Sequence, residues 1–431
     1  MLDWHVAYQR RIVDDLLDSV FVPGGLAAVA LEGAKGVGKT ATGTQRASTV
    51  LTLTDPGQRE ALAANPDLVV QLPAPVLIDE WQLEPSLWDR VRHAVDAEAS
   101  GGRFLLAGSA GVAPGVRIHS GAGRIVRMGM RPLTLSERGS PMATVSLGAL
   151  LTGDIAEVEG TSEVSLSDYV DEILRSGFPG IRNLPERARQ LQLDSYLSRI
   201  VERELPESGA TVRRPAALRA WLAAYAAATS TDAGYVTILD AATPGEGDKP
   251  ARQTADVYRE HLSRIFLLDP IDAWIPAFAP LKRLTLTPKH HLVDPALAAR
   301  LVGVGKQGLL RGAEQPLPGT RTATWLGALF ESLATQSVRV YAEAAGARTG
   351  HLRTKNTERE IDLIVEGDDH QVVAIEVKLA NTVEAADVRH LNWLLGVIGE
   401  RLAARVVLYS GRYAYRRPDG VLVVPLALLG P

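Results

Sequence analysis

Apolar residues in the first third of the chain follow two different periods. Apolar residues at helical spacing predict a helix over residues 8–19 and another over residues 85–99. Short apolar runs bounded by polar and turn residues predict buried strands at residues 26–31, 50–55, 76–79 and 103–109. Strands that alternate with helices are typical of a parallel sheet covered on both faces. The pattern therefore predicts an α/β domain at the start of the chain.

The pattern changes near residue 140. From there to about residue 315 the sequence is mostly helical, and residues 196–205 and 215–228 are the clearest amphipathic stretches. Proline and glycine at residues 316–320 predict a linker before a last region that contains strands. We therefore predict three domains, at residues 1–140, 141–315 and 316–431.

Composition excludes several classes of chemistry. The 431 residues suffice for two or three cores, and a net charge of -4 gives no overall attraction to nucleic acid or membrane. The chain has no cysteine, which excludes disulfides, thiol catalysis, zinc ribbons and iron–sulfur clusters. His290 and His291 have no third ligand at metal spacing, so we expect them to be ordinary polar surface or groove residues. No apolar run approaches the roughly 20 residues that span a bilayer, so we expect a cytoplasmic protein without membrane contact.

Residues 33–40 match the P-loop pattern G-x-x-x-x-G-K-[ST]. They follow a predicted strand and precede a helix-compatible segment, which is the context that the motif requires. Its glycines let backbone N–H groups turn toward phosphate oxygens, and Lys39 would contact the β- and γ-phosphates of ATP. The predicted nucleotide-binding residues are Gly33, Ala34, Lys35, Gly36, Val37, Gly38, Lys39, Thr40 and Ala41.

Two acidic residues, Asp79 and Glu80, stand at the end of a predicted strand. The Thr40 hydroxyl and the Asp79 carboxylate are the predicted Mg²⁺ ligands. Glu80 is the predicted general base, which would polarise the water that attacks the γ-phosphate. A slow nucleotide switch would use the same residues, so ATP binding and ATP hydrolysis are separate predictions. A glycine-rich turn beside a capped core strand is the structural alternative.

A second group of charged residues lies near the C-terminus. Strands are predicted at residues 360–365 and 372–378, joined by a polar turn. A turn centred near residue 369 would bring Asp362 opposite Glu376, and the period of two puts Lys378 on the same face as Glu376. The sequence therefore predicts two carboxylates that face each other across a hairpin.

Facing carboxylates are unfavourable unless a cation lies between them, as in a Mg²⁺-dependent phosphodiesterase. Glu331, on an upstream predicted helix, would be a further metal ligand beside Asp362 and Glu376, and Lys378 would lie near the attacking water or the scissile phosphate. The spacing resembles the PD-(D/E)xK nuclease superfamily, although Ile361 and not proline precedes the aspartate. A charged face on a half-exposed hairpin would give the same pattern.

The middle region has the order of a helix-turn-helix, with three predicted helices followed by a segment at residues 266–274 that could begin a wing. A third helix would present its first side chains to the DNA groove. The candidate DNA contacts are Arg213, Arg214, Arg252, Gln253 and Thr254. Because basic residues alternate with acidic ones and form no stripe, a three-helix packing module is the alternative.

With these residues in view, nearly the whole chain resembles a large prokaryotic family of AAA-like ATPases. The marks of the resemblance are the P-loop, residues 77–82, 104–109, 121–124, 131–133, 176–179 and 289–294, and Asp362 with Glu376 and Lys378. It implies an α/β P-loop NTPase domain with a parallel sheet, then a helical winged-helix-like segment, then a C-terminal α/β restriction-endonuclease-like domain of unknown function.

The resemblance also implies roles for two further residues. Ser109 would sense the γ-phosphate, and Arg124 is a candidate for contact with the transition state, within or between chains. A monomer and an AAA-like homo-oligomer therefore both remain open. The family usually has Thr-Gly-Ser where this chain has Ala107 before Gly108 and Ser109. The lost hydroxyl could slow hydrolysis, or change nothing if the threonine only packs.

Two functional interpretations follow. In the first, the protein acts on or near double-stranded DNA, and the ATP or ADP bound by Lys39, Asp79 and Glu80 controls a C-terminal site that cleaves DNA. In the second, the protein is a nucleotide-dependent signalling switch whose nuclease-like domain is an inactive binding module.

Overall fold

The computed structural model describes residues 8–109, 120–139, 143–154, 158–207, 209–210, 212, 214–243, 252–276, 284, 286–314, 322–354 and 358–431. The chain divides into two compact units. Unit 1 consists of Met1–Arg131, Glu202–Val212 and Glu260–Leu267, and unit 2 consists of Pro132–Val201, Arg213–Arg259 and Leu268–Pro431. Within the described ranges, no helix combines the length and the apolar character needed to cross a bilayer. The division into three domains stays a prediction.

Unit 1 contains a fully parallel sheet. Its strands are β1 (Ala28–Glu32), β2 (Thr49–Thr52), β3 (Val76–Asp79), β4 (Phe104–Gly108) and β5 (Ile125–Gly129). Their order is β2-β3-β4-β1-β5, and each adjacent pair is parallel. The helices are α1 (Ile12–Val20), α2 (Lys39–Thr44), α3 (Pro56–Ala64), α4 (Leu68–Gln71) and α5 (Ser86–Ala97). The predicted α/β arrangement is confirmed, and β5 is an edge strand that the apolar pattern did not indicate.

Side chains of β1 alternate between two apolar layers. Ala30 belongs to a buried cluster with Trp88 of α5, whereas Leu31 belongs to a second cluster with Leu17 of α1. Successive strand residues point to opposite faces, and full burial of a large apolar side chain contributes about 1.5–3 kcal/mol. Helices therefore cover both faces, and the polar loops gather where the strands end.

Helices dominate the chain after β5. They are α6 (Leu147–Leu151), α7 (Leu166–Arg175), α8 (Pro179–Arg182), α9 (Glu186–Arg199), α10 (Leu205–Glu207), α11 (Pro215–Ala227), α12 (Tyr235–Ala242), α13 (Arg252–Arg264), α14 (Pro295–Val302), α15 (Lys306–Glu314), α16 (Thr322–Ala344) and α17 (Arg389–Ile398). A π-helical turn, Ile200–Glu204, continues α9. After α13, Leu268 bridges Leu292 and Ile271 bridges Lys289 in antiparallel fashion. The three helices predicted in the middle region are confirmed as α11, α12 and α13. Their assignment as part of a winged helix stays a prediction.

A second sheet lies at the C-terminal end of unit 2. The strands beyond β5 are β6 (Val145–Ser146), β7 (Gly160–Thr161), β8 (Arg348–Arg353), β9 (Glu360–Glu366), β10 (Val372–Lys378), β11 (Leu402–Tyr409), β12 (Tyr413–Arg416), β13 (Leu422–Pro425) and β14 (Leu429–Gly430). The large sheet has the order β7-β12-β13-β11-β10-β9-β8, and β14 pairs with β6 separately. Strands β8, β9 and β10 are antiparallel to one another, and β11 runs parallel to β10.

The positions of α16 and α17 follow from the way the strands of this sheet are connected. Parallel neighbours need a crossover, and α17 provides it between β10 and β11. The apolar core on that side includes Ile364, Ala374, Leu391 and Leu394. Helix α16 precedes β8 and packs against β8, β9 and β10. The hairpin that carries the predicted carboxylates is therefore held between elements that come before and after it in the chain.

Candidate functional site

The P-loop connects β1 to α2 in a conformation that requires glycine. Gly36 and Gly38 have φ of 85° and 107°, in the left-handed region that other residues rarely adopt. A Cβ atom on Gly33 would lie 2.1 Å from the backbone oxygen of Met130. Glycine at these positions lets the loop turn tightly at the carboxyl end of β1, directly before the first residue of α2.

Lys39, the first residue of α2, points back into this loop. Its ammonium donates to the backbone oxygens of Gly33 at 2.7 Å and Ala34 at 2.9 Å, and only 7% of the residue is exposed. Burial lowers the pKa of Lys39 to about 8, against the opposing effect of Glu80 and Asp79. The lysine is thus partnered by uncharged carbonyls, and among the described residues no carboxylate forms a direct ion pair with it.

Thr40 and Asp79 meet beside Lys39. The Thr40 hydroxyl donates to Asp79 Oδ1 at 2.9 Å, across the space between α2 and the end of β3. Burial raises the pKa of Asp79, and the hydrogen bond from Thr40 lowers it in part. A hydroxyl and a carboxylate oxygen are hard donors of the kind that Mg²⁺ prefers. The two predicted ligands therefore fit a magnesium ion.

Glu80 follows in a left-handed conformation, with φ of 55°. The Ser109 hydroxyl donates to Glu80 Oε2 at 3.2 Å, and the side-chain amide of Gln82 donates to the same oxygen. Ser109 follows β4, the neighbour of β3 in the sheet. The structure thus brings two predicted site residues, Glu80 and Ser109, into contact and adds Gln82, for which no role was predicted.

Arg124 lies at the other end of the sheet. In the parallel register Ile125 is beside Ala28 and Gly129 is beside Glu32, so Arg124 is level with the start of β1. The P-loop follows the end of β1, and five strand residues extend about 16 Å. Arg124 instead pairs with Asp96, at 2.7 Å. The direction of the strands therefore disfavours a contact between Arg124 and the nucleotide of its own chain. A contact between chains stays a prediction.

Two contacts of the P-loop were not predicted. Buried Arg11 donates to the backbone oxygen of Val37 at 3.0 Å and to that of Arg131 at 2.9 Å. Lys35 forms an ion pair with Glu204 at 2.9 Å, within unit 1. Neither partner is close in sequence, and the only local signal was an arginine at the start of an amphipathic segment.

The C-terminal hairpin has the predicted register. Ile375 pairs with Leu363, so the next pair in the same ladder is Glu376 with Asp362. The Val377 N–H donates to Asp362 Oδ2 at 2.9 Å. Lys378 pairs with Glu376 Oε1 at 2.8 Å. The sequence thus predicted correctly which carboxylates face each other.

The centre of this site contains a lysine that was not predicted. The Lys289 ammonium lies 2.7 Å from Glu331 Oε1, 2.9 Å from Asp362 Oδ1 and 3.4 Å from Glu360 Oε1. Only 2% of Lys289 is exposed. We call Glu331, Glu360, Asp362 and Glu376 the carboxylate cluster.

The cluster does not fit Mg²⁺ in this arrangement. Magnesium binds oxygens at about 2.0–2.1 Å, whereas an ammonium donates hydrogen bonds to oxygens at about 2.7–2.9 Å. Lys289 donates to Glu331 and Asp362 at distances of the second kind, so an ammonium already takes the place that a metal ion would need. Among the described residues, no group of three or more His, Cys, Asp or Glu side chains is arranged to hold a metal ion. The role of Glu331, Asp362 and Glu376 as metal ligands stays a prediction that Lys289 disfavours.

The electrostatics of the cluster reflect deep burial. Burial, and next the neighbouring Asp362, raise the pKa of Glu331 and that of Glu376 to about 8. Burial also raises the pKa of Asp362, but Lys289 and further hydrogen bonds outweigh it and hold that pKa below its ordinary value. Lys289 keeps a pKa well above the ordinary value because Asp362, Glu331 and Glu360 outweigh its burial. Lys289 and Asp362 therefore form a charged pair.

The two histidines beside Lys289 are interior residues. His290 and His291 are both buried, so their expected place at the surface is wrong. His290 Nε2 contacts the Ala233 backbone oxygen at 2.7 Å. Burial lowers the pKa of both imidazoles. They pack in the segment that delivers Lys289 to the cluster.

The side chains of only three of the five candidate DNA contacts are among those that the structure describes. Arg213 lies outside the described residues, as does the side chain of Arg252 at the start of α13. Arg214 and Gln253 are exposed, and Thr254 is half-buried. DNA contact by these residues stays a prediction.

Comparison with known proteins assigns the regions of the chain separately. Residues 166–308 match a domain of unknown function, DUF8612, and residues 326–429 match another, DUF4143. An uncharacterized protein of Mycobacterium bovis and one of Mycobacterium tuberculosis are each 27% identical to the chain over 359 residues, which is 81% of this chain and 68% of the relative. Residues 27–138 match the family model of an AAA domain. That match, on the P-loop and its parallel sheet, supports an AAA-like P-loop ATPase domain in the N-terminal part of the chain.

Proposed function

We propose that the protein is an ATP-hydrolysing switch whose C-terminal domain is a binding module with a nuclease-like arrangement of strands. The observation that carries the first part is the contact of Thr40 with Asp79 beside the pair of Glu80 and Ser109. These groups lie where β3 and β4 end, next to the P-loop on β1, so that one bound triphosphate could touch all of them.

Different residues of unit 1 have different roles in the proposed hydrolysis. The P-loop N–H groups and Lys39 bind the phosphates, and the ammonium exchanges its carbonyl partners for phosphate oxygens. Thr40 and Asp79 would hold Mg²⁺, which neutralises phosphate charge when bound. Gln82 and Ser109 both donate to Glu80 Oε2, which leaves Oε1 to orient a water. That water attacks the γ-phosphorus, the bond to the β-phosphate oxygen breaks, and Glu80 takes the proton.

The test is phosphate release by purified protein with ATP and Mg²⁺. Glu80→Gln keeps the hydrogen bonds of the side chain but removes the base, so we expect ATP to bind while turnover falls by about 10²–10⁴-fold. Glu84→Gln is the matched control, because Glu84 lies nearby and its carboxylate accepts from Ser86. Equal turnover in both variants would contradict the role of Glu80.

The C-terminal module is proposed to be inactive because Lys289 takes the cation position of the carboxylate cluster. The second candidate is a Mg²⁺-dependent nuclease, gated by ATP and acting on double-stranded DNA. The pairing of Asp362 with Glu376, and Lys378 beside it, favours that candidate. Its catalytic lysine would then be Lys378.

One plasmid experiment separates the two candidates. Supercoiled DNA is incubated with wild type, Glu80→Gln and Asp362→Asn, with Mg²⁺ or Mn²⁺ and with or without ATP. A switch gives phosphate release and no nicking. Nicking that disappears in Asp362→Asn and depends on ATP through Glu80 would establish the gated nuclease instead.

Contact with DNA is tested by fluorescence anisotropy with duplex DNA at several salt concentrations. If α13 presents its first residues to the groove, Gln253→Ala and Arg214→Ala should weaken binding, the second with a smaller salt slope. Gln190→Ala, on α9, is the control. Equal binding by all variants would leave α11–α13 as a packing module.

A further inference from the structure

The cation of the carboxylate cluster comes from a different part of the chain than the carboxylates. Lys289 lies among the residues that match DUF8612, whereas Glu331, Glu360, Asp362 and Glu376 lie among those that match DUF4143. The ammonium has three N–H groups and three carboxylate neighbours, at 2.7, 2.9 and 3.4 Å. The ammonium donates hydrogen bonds to Glu331 and Asp362, and Glu360 lies at ion-pair distance.

Lys289 is fixed by its backbone as well as by its charge. Its N–H donates to the Ile271 backbone oxygen at 2.8 Å, and the Ile271 N–H donates to the Lys289 oxygen at 2.9 Å. On either side of the bridge, Asp269 pairs with His291 and Trp274 pairs with His351 through their backbones. Because these backbone hydrogen bonds hold the segment in place, the position of Lys289 beside the cluster does not depend on its charge alone. The lysine is positioned there by the fold.

The cluster also contains an oxygen that lacks a partner. Glu376 exposes 8% of its surface, and its Oε2 is buried with no hydrogen-bond partner among the described residues. Its Oε1 is held by Lys378. Leaving a buried carboxylate oxygen unpaired costs about 1–3 kcal/mol or more. Lys289 donates to Glu331 and Asp362, so among the described residues this Glu376 oxygen is left for a further cation that contacts the cluster.

We infer that Lys289 is the resident cation of the carboxylate cluster and excludes a divalent metal from it. The ammonium holds Glu331 and Asp362 at hydrogen-bond spacing and keeps their oxygens from closing around a smaller ion. Removing it leaves Glu331, Asp362 and the unpartnered Glu376 oxygen as a hard-oxygen site of the kind that takes Mn²⁺ or Mg²⁺. This inference rests on the proposal that the C-terminal module is inactive, and it does not depend on ATP hydrolysis by unit 1.

The test is Mn²⁺ binding to the full chain without nucleotide, measured by electron paramagnetic resonance of the free ion. The variants are Lys289→Ala, Lys289→Met, which keeps most of the aliphatic stem, and Lys289→Ala combined with Asp362→Asn. Lys306→Ala is the matched control, because Lys306 also pairs with an aspartate, Asp171, away from the cluster. The P-loop is the same in all of them, so differences report the cluster.

We expect wild type and Lys306→Ala to show no Mn²⁺ site that depends on Asp362. Lys289→Ala and Lys289→Met should each gain one bound Mn²⁺ per chain, with a melting temperature that rises on adding the ion, and the double variant should lose both effects. An Asp362-dependent Mn²⁺ site in wild type would overturn the inference, and so would folded Lys289 variants that bind none. If neither variant folds, wild type decides: binding that Asp362→Asn abolishes overturns the inference, and its absence supports it.

Discussion

Two buried lysines, Lys39 and Lys289, stand beside acidic residues at the ends of strands, and their partners differ. Lys39 donates to two backbone carbonyls, and burial lowers its pKa to about 8. Lys289 contacts three carboxylates, which outweigh burial and raise its pKa well above the ordinary value. A lysine that donates only to neutral groups can still form an ion pair with an incoming anion. A lysine that contacts carboxylates already has its ion pairs. Sequence motifs cannot tell the two apart, but their partners can.

The comparison predicts effects of very different size on the free energy of unfolding. Lys289→Met leaves several buried carboxylates without their cation, and removing one partner of a buried ion pair costs about 3–5 kcal/mol. Lys39→Met removes a poorly solvated charge, so we expect a change within about 1 kcal/mol. Urea unfolding of both variants measures the difference. Equal losses of unfolding free energy would show that Lys39 is as much a structural cation as Lys289.

For ATP turnover we expect the large effect at Lys39 and none at a lysine of unit 2. Lys39→Met removes the ammonium that contacts the phosphates, and loss of one such charge-stabilising donor costs about 10²–10³-fold in turnover. Lys306→Met, at a half-buried ion pair in unit 2, should leave turnover unchanged. Phosphate release at saturating ATP and calorimetric ADP affinity check both. Full activity of Lys39→Met would contradict the assignment of the P-loop lysine.

The pH dependence of ADP affinity should sharpen the contrast. Lys39 must be protonated to pair with phosphate, and its pKa in the free protein is about 8. Above that pH the free protein has lost the proton, binding must take one up, and affinity should fall by up to about tenfold per pH unit. Below it the affinity should be level, because a phosphate with a second pKa of about 6 is already ionised.

Calorimetry between about pH 7 and 9.5, in two buffers of different ionisation enthalpy, counts the protons taken up. Lys39→Arg is the control, because a guanidinium stays charged over this range and should give a level profile. A slope that persists in Lys39→Arg would assign the titration to another group.

The smallest expected effect on stability and on ADP affinity concerns the ion pair between the P-loop and the π-helical turn. Lys35 is half-exposed and pairs with Glu204 of the π-helical turn. Such pairs contribute about 0–1 kcal/mol, so Glu204→Gln should barely change stability. It removes a negative charge near the phosphates, and ADP affinity should rise about two- to fivefold. Glu202→Gln, in the same turn, is the control, and equal effects would contradict a specific role for Glu204.

The sequence indicated more of the fold than of the chemistry. Strands β1–β4 and the pairing of Asp362 with Glu376 followed from local patterns, namely apolar runs and the position of one turn. The P-loop followed from a motif whose residues are adjacent in sequence. Patterns within short stretches of sequence were enough in each case, because the residues involved belong to one loop or to neighbouring elements.

What the sequence did not indicate depends on long-range contacts. Lys289 is 42 positions from Glu331 and 73 from Asp362. The position of Arg124 depends on the register of β5 beside β1, which was not predicted. His290 and His291 read as polar residues, and only the packing around α11 and α12 shows that they are interior. A single sequence contains no record of which distant segment supplies a partner.

The origin of Lys289 has a consequence for how this protein can be divided or recombined. Residues 326–429, separated from the rest, would keep the carboxylates but lose the cation that neutralises them. Such a fragment should fold best in acid or with an added divalent ion, because either removes the negative charge. For the same reason, exchanging the C-terminal region between relatives should succeed only when the segment that delivers Lys289 is exchanged with it.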